Sequence, residues 1–296
     1  QEAADYTEAT DPILFAGLRL LQQSSLGTAV FSLKPAAADS EQTRRAIDEL
    51  NALRERLRDG DIRLLRCGWL ASAASDVALG RDAVTGAAIL RAQMETLHSE
   101  ASFNNDVGVP STLLSIEPCH RAAVLELGTN HPGELAPLVK MAAPQFGLLT
   151  GVGREHLEFF GNLEGVAREE GVLGELLLAG GKLFLYGDDD WSQSMAERSN
   201  APSITVGFGE ANDWRADNVQ VTENGTNFVV HSPTEEWNGE YTPPLLGRHQ
   251  AANATLAIAA AAGLGLDRET IARGLVECPA PAMRLQLSEK SGVGWL

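Results

Sequence analysis

A few short polar segments interrupt apolar runs in this sequence, and their side chains are the ones that could do chemistry. Glu126 breaks the run Ala122 to Leu127 near its C-terminal end. A carboxylate there can reach a cation in a crevice or pair with a buried base. His156 lies in Gly153-Arg154-Glu155-His156-Leu157-Glu158, a few residues past the next apolar run. A lone loop histidine is ordinarily a surface residue. Paired with Glu126 from an adjacent strand end, it would make a divalent-cation site, with water filling the remaining positions. Arg154 and His156 could alternatively contact an anion.

Two further segments are dense in amides. Phe103-Asn104-Asn105-Asp106-Val107-Gly108-Val109-Pro110 reads either as a loop that satisfies its own backbone or as a substrate loop offering donors and acceptors together. Thr129-Asn130-His131-Pro132-Gly133-Glu134 reads as a helix start, with Pro132 opening the helix and Asn130 or Thr129 capping it. Gly247-Arg248-His249-Gln250-Ala251-Ala252-Asn253 opens a long Ala-rich stretch. Arg248 and His249 there could meet phosphates, because helix N-termini favour anions, and Asn253 one turn on could bond a base edge.

The elements that must position these residues alternate in type. Ala122 to Leu127, Phe146 to Val152 and Lys182 to Tyr186 read as buried strands. Glu134 to Met141 and Leu163 to Leu178 read as helices. Strands separated by helices imply an α/β fold with a mostly parallel sheet flanked by helices, whose ligands sit beyond the C-terminal strand ends. Residues 201 to about 245 form a β-rich subregion with strands at Ser203 to Phe208, Val219 to Thr222 and Asn227 to His231. A helix from about His249 to Ala262 follows, then a shorter one after Asp267, a good N-cap. The organisation expected is a smaller N-terminal α/β region over 1–82 and a central domain over 83–296. Within the first, helices are expected over Asp11 to Gln23 and from Ser40 through Leu57, with a strand over Thr28 to Leu33.

Composition bounds the function. The chain has 296 residues, 44% hydrophobic and 21% charged, with 23 Lys and Arg against 40 Asp and Glu, a formal net charge of −17. That balance excludes a protein that wraps nucleic acid or coats anionic lipid through bulk charge. A local patch or a bound cation still permits a phosphate-bearing ligand. Cys67, Cys119 and Cys278 are far apart and odd in number, which fits a reducing cytosol. The longest apolar stretch, Leu256 to Leu266, is about half of the ~20 residues a membrane span needs. A soluble, cytoplasmic monomer is expected.

Taken in order, Phe103–Pro110, Glu126–Glu134, His156-Leu-Glu-Phe-Phe-Gly-Asn-Leu-Glu-Gly-Val-Ala167, Asp188-Asp-Asp-Trp191 and Gly247-Arg-His249 with Asn253 resemble the Mur ligase family over about residues 84–290. The branch resembled adds D-alanyl-D-alanine to UDP-N-acetylmuramoyl-tripeptide. The resemblance implies that ATP and Mg2+ are used. ATP phosphorylates the carboxylate of the UDP-linked peptide, and the dipeptide amine displaces phosphate from the acyl phosphate. It implies Glu126 and His156 as magnesium ligands, and Asn104, Asn105 and Asp106 in the substrate loop with Asn130 and Arg154 near it. It further implies Asn253 on adenine, Asp189 near the nucleotide with Arg248 and His249, and Arg284 just before a C-terminal domain.

The sequence also departs from that family. Its glycine-rich phosphate loop with Gly-Lys-Thr is missing. Ala83-Val84-Thr85-Gly86 reads as the strand end and first glycine, Ala87-Ala88-Ile89-Leu90 follows at once, and no lysine stands between Lys34 and Lys140. The junction reads as though about ten residues were skipped, compared with the strand–loop–helix that a phosphate loop needs. Either a loop is absent from this sequence or the nucleotide site is lost; the matching flanks favour the first. Glu170 stands where the family has a lysine that becomes carbamylated, which keeps the negative charge but shortens its reach. Residues 1–82 do not clearly match the family's UDP-binding domain, and its C-terminal ligase domain has no counterpart after Leu296, so this chain alone is expected to be inactive. The alternative reading is a catalytically silent relative that binds a nucleotide-sugar or a partner.

Overall fold

A computed structural model describes residues 65–70, 81–100, 103–117, 119–154, 156–279, 288–290 and 293–295. The helices expected over 11–23 and 40–57, the strand expected over 28–33, and Arg284 lie outside the described residues. The chain runs β1 (Leu65–Leu70), α1 (Arg81–Arg91), β2 (Thr96–His98), α2 (Gly108–Leu114), β3 (Ala122–Glu126), α3 (Leu135–Ala142) and β4 (Phe146–Leu149). It continues through α4 (Leu157–Phe160), α5 (Leu163–Glu170), α6 (Val172–Glu175), β5 (Lys182–Tyr186), α7 (Ser192–Arg198) and β6 (Ser203–Gly207). Then come β7 (Trp214–Thr222), β8 (Gly225–His231), β9 (Gly239–Tyr241), α8 (Arg248–Gly263), α9 (Arg268–Val276), β10 (Ser288–Lys290) and β11 (Val293–Trp295).

Nine strands form one sheet in the order β2-β3-β1-β4-β5-β6-β7-β8-β9, and β10 and β11 pair separately as an antiparallel hairpin. From β2 to β7 every pairing is parallel; β8 and β9 are added antiparallel. Parallel strands need helical crossovers, so both sheet faces are covered and the strands read as continuous apolar runs. Successive residues therefore feed two cores. Val124, Leu148 and Phe184 join the core under α1, α8 and α9. Leu125, Leu149, Leu183 and Leu185 join the core under α3, α6 and α7. Removing the fully buried Phe184 ring would cost about 3–5 kcal/mol.

Strand β1 corrects three expectations. It lies between β3 and β4, in the middle of the sheet, so the sheet begins by residue 65 and the expected boundary at 82 cuts through it. Ala83-Val84-Thr85-Gly86 does not end a strand; it lies inside α1. A short apolar run cannot be told from a buried helix by period alone. In the sequence, residues 71–80 connect that strand to that helix. Gly86 is consequently no phosphate-loop glycine. It lines a small apolar void with Leu90, Val124, Leu148 and the α8 alanines Ala257, Ala260 and Ala261.

Other boundaries shift for local reasons. The helix expected over 163–178 breaks at Gly171 into α5 and α6. Asp267 caps α9 as expected, its carboxylate accepting from the Thr270 N–H at 2.8 Å. A glycine inside a helix costs about 1 kcal/mol relative to alanine. Gly86→Ala is therefore expected to raise the thermal midpoint by a few degrees, read by calorimetry. A drop would show that the void cannot take a methyl group.

Candidate active site

The C-terminal ends of the parallel strands lie along one edge of the sheet, and the polar segments gather there. At the β3 tip, Glu126 is only 2% exposed. Its Oε1 accepts from Asn104 Nδ2 at 2.9 Å, and its backbone N–H donates to Ser99 Oγ at 3.0 Å. The Gly128 N–H donates to the Asn104 carbonyl at 2.8 Å. A Cβ on Gly128 would sit 2.6 Å from Asn104 Nδ2, so a larger residue there would displace the Asn104 amide from Glu126. Two predicted site residues, Asn104 and Glu126, are thus in direct contact. Asn105 serves the backbone, its Oδ1 accepting from the Gly108 N–H at 2.8 Å at the start of α2. Asp106 is exposed.

The loop from β3 to α3 is held differently from the expected cap. Neither Thr129 nor Asn130 caps α3, and Pro132 lies outside it. Glu134 turns back instead, accepting from the Asn130 and His131 N–H groups at 2.8 and 3.1 Å and from His131 Nδ1 at 3.0 Å. Partial burial raises the Glu134 pKa, but these hydrogen bonds outweigh it, and the carboxyl lies below its ordinary value of 4.5. Glu169 of α5 accepts from the Gly133 N–H at 2.8 Å and the Leu135 N–H at 2.9 Å. No local signal reveals Glu169, because its partners lie 34 and 36 residues away.

After β4, Gly151 takes φ +127° and Val152 donates its N–H to Asp189 Oδ2. His156 adopts a left-handed φ of 47° as the N-cap of α4. Its carbonyl accepts from the Phe159 and Phe160 N–H groups. Phe159 packs on His131 at a tilt of 51° with ring centroids 4.1 Å apart, which joins the β3 and β4 loops. Arg154 is exposed. One expectation about this region is corrected: the tips carrying Glu126 and His156 are not adjacent, since β1 separates them. His156 itself lies beyond the β4 tip, at the start of α4. Among the described residues, no three His, Cys, Asp or Glu side chains converge on a metal position. Glu170 is buried beside Glu169 on α5.

At β5, Asp189 also accepts from the Trp191 N–H at 2.8 Å. Asp188 accepts from the Gly209 N–H and from Asn212 Nδ2, which ties the β5 and β6 tips together. Burial, reinforced by the Asp188 charge, pushes the Tyr186 hydroxyl up to about 12, so it stays protonated. Arg248, at the start of α8, lies 4.2 Å over the Phe208 ring, and Tyr186 meets Phe208 edge-on at 6.4 Å. His249 Nε2 lies 3.2 Å from Gln250 Nε2, and Asn253 is 7% exposed one turn on.

A profile described as the Mur ligase middle domain matches residues 71–261, well over half of the chain. The chain belongs to the Mur ligase family. It is 36% identical over 208 residues to the UDP-N-acetylmuramoyl-tripeptide--D-alanyl-D-alanine ligase of Escherichia coli (strain K12), a match covering 69% of this chain and 46% of that one. Its fold superposes on MurF of Acinetobacter baumannii with TM-score 0.71 and 29% identity, over 84% of this chain and 53% of the other. The MurF ligase of Thermotoga maritima in complex with ADP shares the fold at TM-score 0.68 and 19% identity, over 92% of this chain and 59% of the other. This Mur ligase chain therefore spans about half the length of the curated relatives it matches.

The Glu134 hydrogen bonds carry a pH dependence. A depressed folded pKa means that their contribution is present above the unfolded value and is lost as pH falls through the folded one. NMR titration is expected to show the His131 and Phe159 resonances moving with a midpoint below 4.5. A midpoint at or above that value would contradict the clamp.

Proposed function

We propose that this chain holds the UDP-linked acid in a ligase that joins D-alanyl-D-alanine to UDP-N-acetylmuramoyl-tripeptide in peptidoglycan precursor synthesis. The named activity of relatives such as the Escherichia coli enzyme supports this reading. The observation that carries it is the Asn104–Glu126 contact at 2.9 Å, which docks the 103–106 loop on a buried carboxylate at the strand tips. In α/β sheets that edge is where ligands bind. Here the loops present Asp106, Asn130 and Arg154 to the acid substrate. Work as a monomer in the cytoplasm, where UDP-linked precursors are made, completes the proposal. No described helix is long and apolar enough to cross a membrane.

The Glu126 carboxylate at the β3 tip offers the oxygen chemistry that magnesium takes. Glu126 would hold the ion, with His156 as its proposed second ligand and water and substrate oxygens supplying the rest. Bound there, the ion would neutralise charge on phosphate and carboxylate oxygens. Asn104 keeps the Glu126 carboxylate oriented, and Glu170 stands as a second buried glutamate on α5. Glu126→Ala is expected to abolish magnesium-dependent turnover in the complete enzyme, measured as phosphate release. Unchanged release would show that the ion is held elsewhere.

ATP fits this chain only in part. Asn253, Arg248 and His249 stand at the start of α8, where a base and an anion can be met. The phosphate side does not fit. The connection from β1 to α1 reads Ala71-Ser-Ala-Ala-Ser-Asp-Val-Ala-Leu-Gly80, without a lysine and without the spaced glycines that cradle phosphates. That connection favours a second reading, in which the chain binds the UDP-linked acid without turning it over. Phosphate release measured with ATP, UDP-N-acetylmuramoyl-tripeptide and D-alanyl-D-alanine separates the two. Release that needs both substrates supports ligation. Calorimetric binding of the UDP-linked peptide without release supports the silent reading, and neither binding nor release would overturn both.

A further inference from the structure

Glu169 sits where its own helix gains little from it. It is the penultimate residue of α5, next to Glu170, and both are buried. A carboxylate near a helix C-terminus meets the negative end of the helix dipole, which is unfavourable. The same carboxylate reaches the N-terminus of α3, where charge and orphan amides favour it. Both oxygens are used: Oε2 accepts from Gly133 N–H at 2.8 Å and Oε1 from Leu135 N–H at 2.9 Å. A local N-cap would normally supply these bonds, but Glu134 is turned outward onto Asn130 and His131. Two carboxylates therefore divide one loop, Glu134 holding it at Asn130 and His131 and Glu169 holding its end at Gly133 and Leu135.

That loop connects the two tips. It starts three residues after Glu126, and its His131 ring packs on Phe159 of α4, whose N-cap is His156. Holding Gly133 and Leu135 in place thus fixes the path from the Glu126 tip to the His156 turn. We infer that Glu169 is a positioning residue for the UDP-linked acid: it sets the Thr129–Glu134 loop as a fixed wall of the substrate crevice. This inference rests on the proposed function, since it names that site's ligand. Glu169 touches backbone amides and acts through the loop.

The test uses the full chain with Glu169→Ala, Glu169→Gln and, as a comparison, Asn162→Ala. Asn162 caps the other end of the same helix, its Oδ1 accepting from the Gly165 N–H at 2.9 Å, so its loss weakens α5 without touching the loop. Calorimetric titration with UDP-N-acetylmuramoyl-tripeptide is expected to show about tenfold weaker binding for Glu169→Ala. Glu169→Gln keeps one acceptor but sets its NH2 against the other backbone N–H, so it is expected to weaken binding about threefold to fivefold, while Asn162→Ala binds within about twofold of the parent at a similar loss of thermal midpoint. Equal weakening by Asn162→Ala, or parent-like binding by Glu169→Ala, overturns the inference. Should Glu169→Ala fail to fold, Glu169→Gln carries the comparison. Hydrogen exchange in the free protein tests the clamp without ligand: Gly133 and Leu135 amides are expected to exchange faster in either Glu169 variant while α8 is unchanged, and parent-like exchange also overturns it. If the parent protein does not bind the UDP-linked peptide, the functional reading fails while the exchange result still decides the clamp.

Discussion

A carboxylate buried at the end of a β-strand is tolerated only when hydrogen bonds or a cation meet it, because desolvation of an ionised group is costly. Glu126 is in that position, and much of the crevice is built around satisfying it. Asn104 gives it an amide, Ser99 takes its backbone N–H, and Gly128 removes the side chain that would keep Asn104 away. The 103–106 loop is therefore not free to choose its path. The parallel sheet sets the scene, since strands running the same way deliver their C-terminal ends, and the loops that follow, to a single edge.

The other loops at that edge are closed by the same means. Asp189 binds the β4 loop through the Val152 amide, Asp188 binds the β6 tip, and Glu134 and Glu169 share the β3 loop. In each case a carboxylate takes up backbone N–H groups that the turn leaves unpaired. An acidic chain can thus carry its excess negative charge partly as structure. Asp188, Asp189, Glu134 and Glu169 are thus engaged by backbone amides, while Arg154 and Arg248 stand exposed near the tips.

What the sequence revealed follows the range of the interactions. Strand β5 and the Asp267 cap were readable because a buried parallel strand and an N-cap are local patterns. The order of polar segments was readable too, since it carries the family resemblance. Strand β1 was missed because Leu65–Leu70 mixes arginine, cysteine and glycine, while the apolar run at 83–90 drew the strand assignment to what is a helix. Strand adjacency could not be read at all. Placing β1 between β3 and β4 is a matter of topology, and it moves Glu126 and His156 one strand apart. Glu169 was missed for a related reason: its partners are distant in sequence, and the neighbouring Glu170 carried the resemblance instead.

The central claim is that the acidic, UDP-linked substrate binds over the tips of β1, β3 and β4. A crystal structure of the protein with UDP-N-acetylmuramoyl-tripeptide and magnesium tests it most directly. The account predicts density for the ligand within contact of the 103–106 and 129–134 loops, with an ion bridging it to Glu126. Ligand density on the opposite edge of the sheet, or a Glu126 carboxylate still closed against Asn104 with no ligand or ion beside it, would contradict the account.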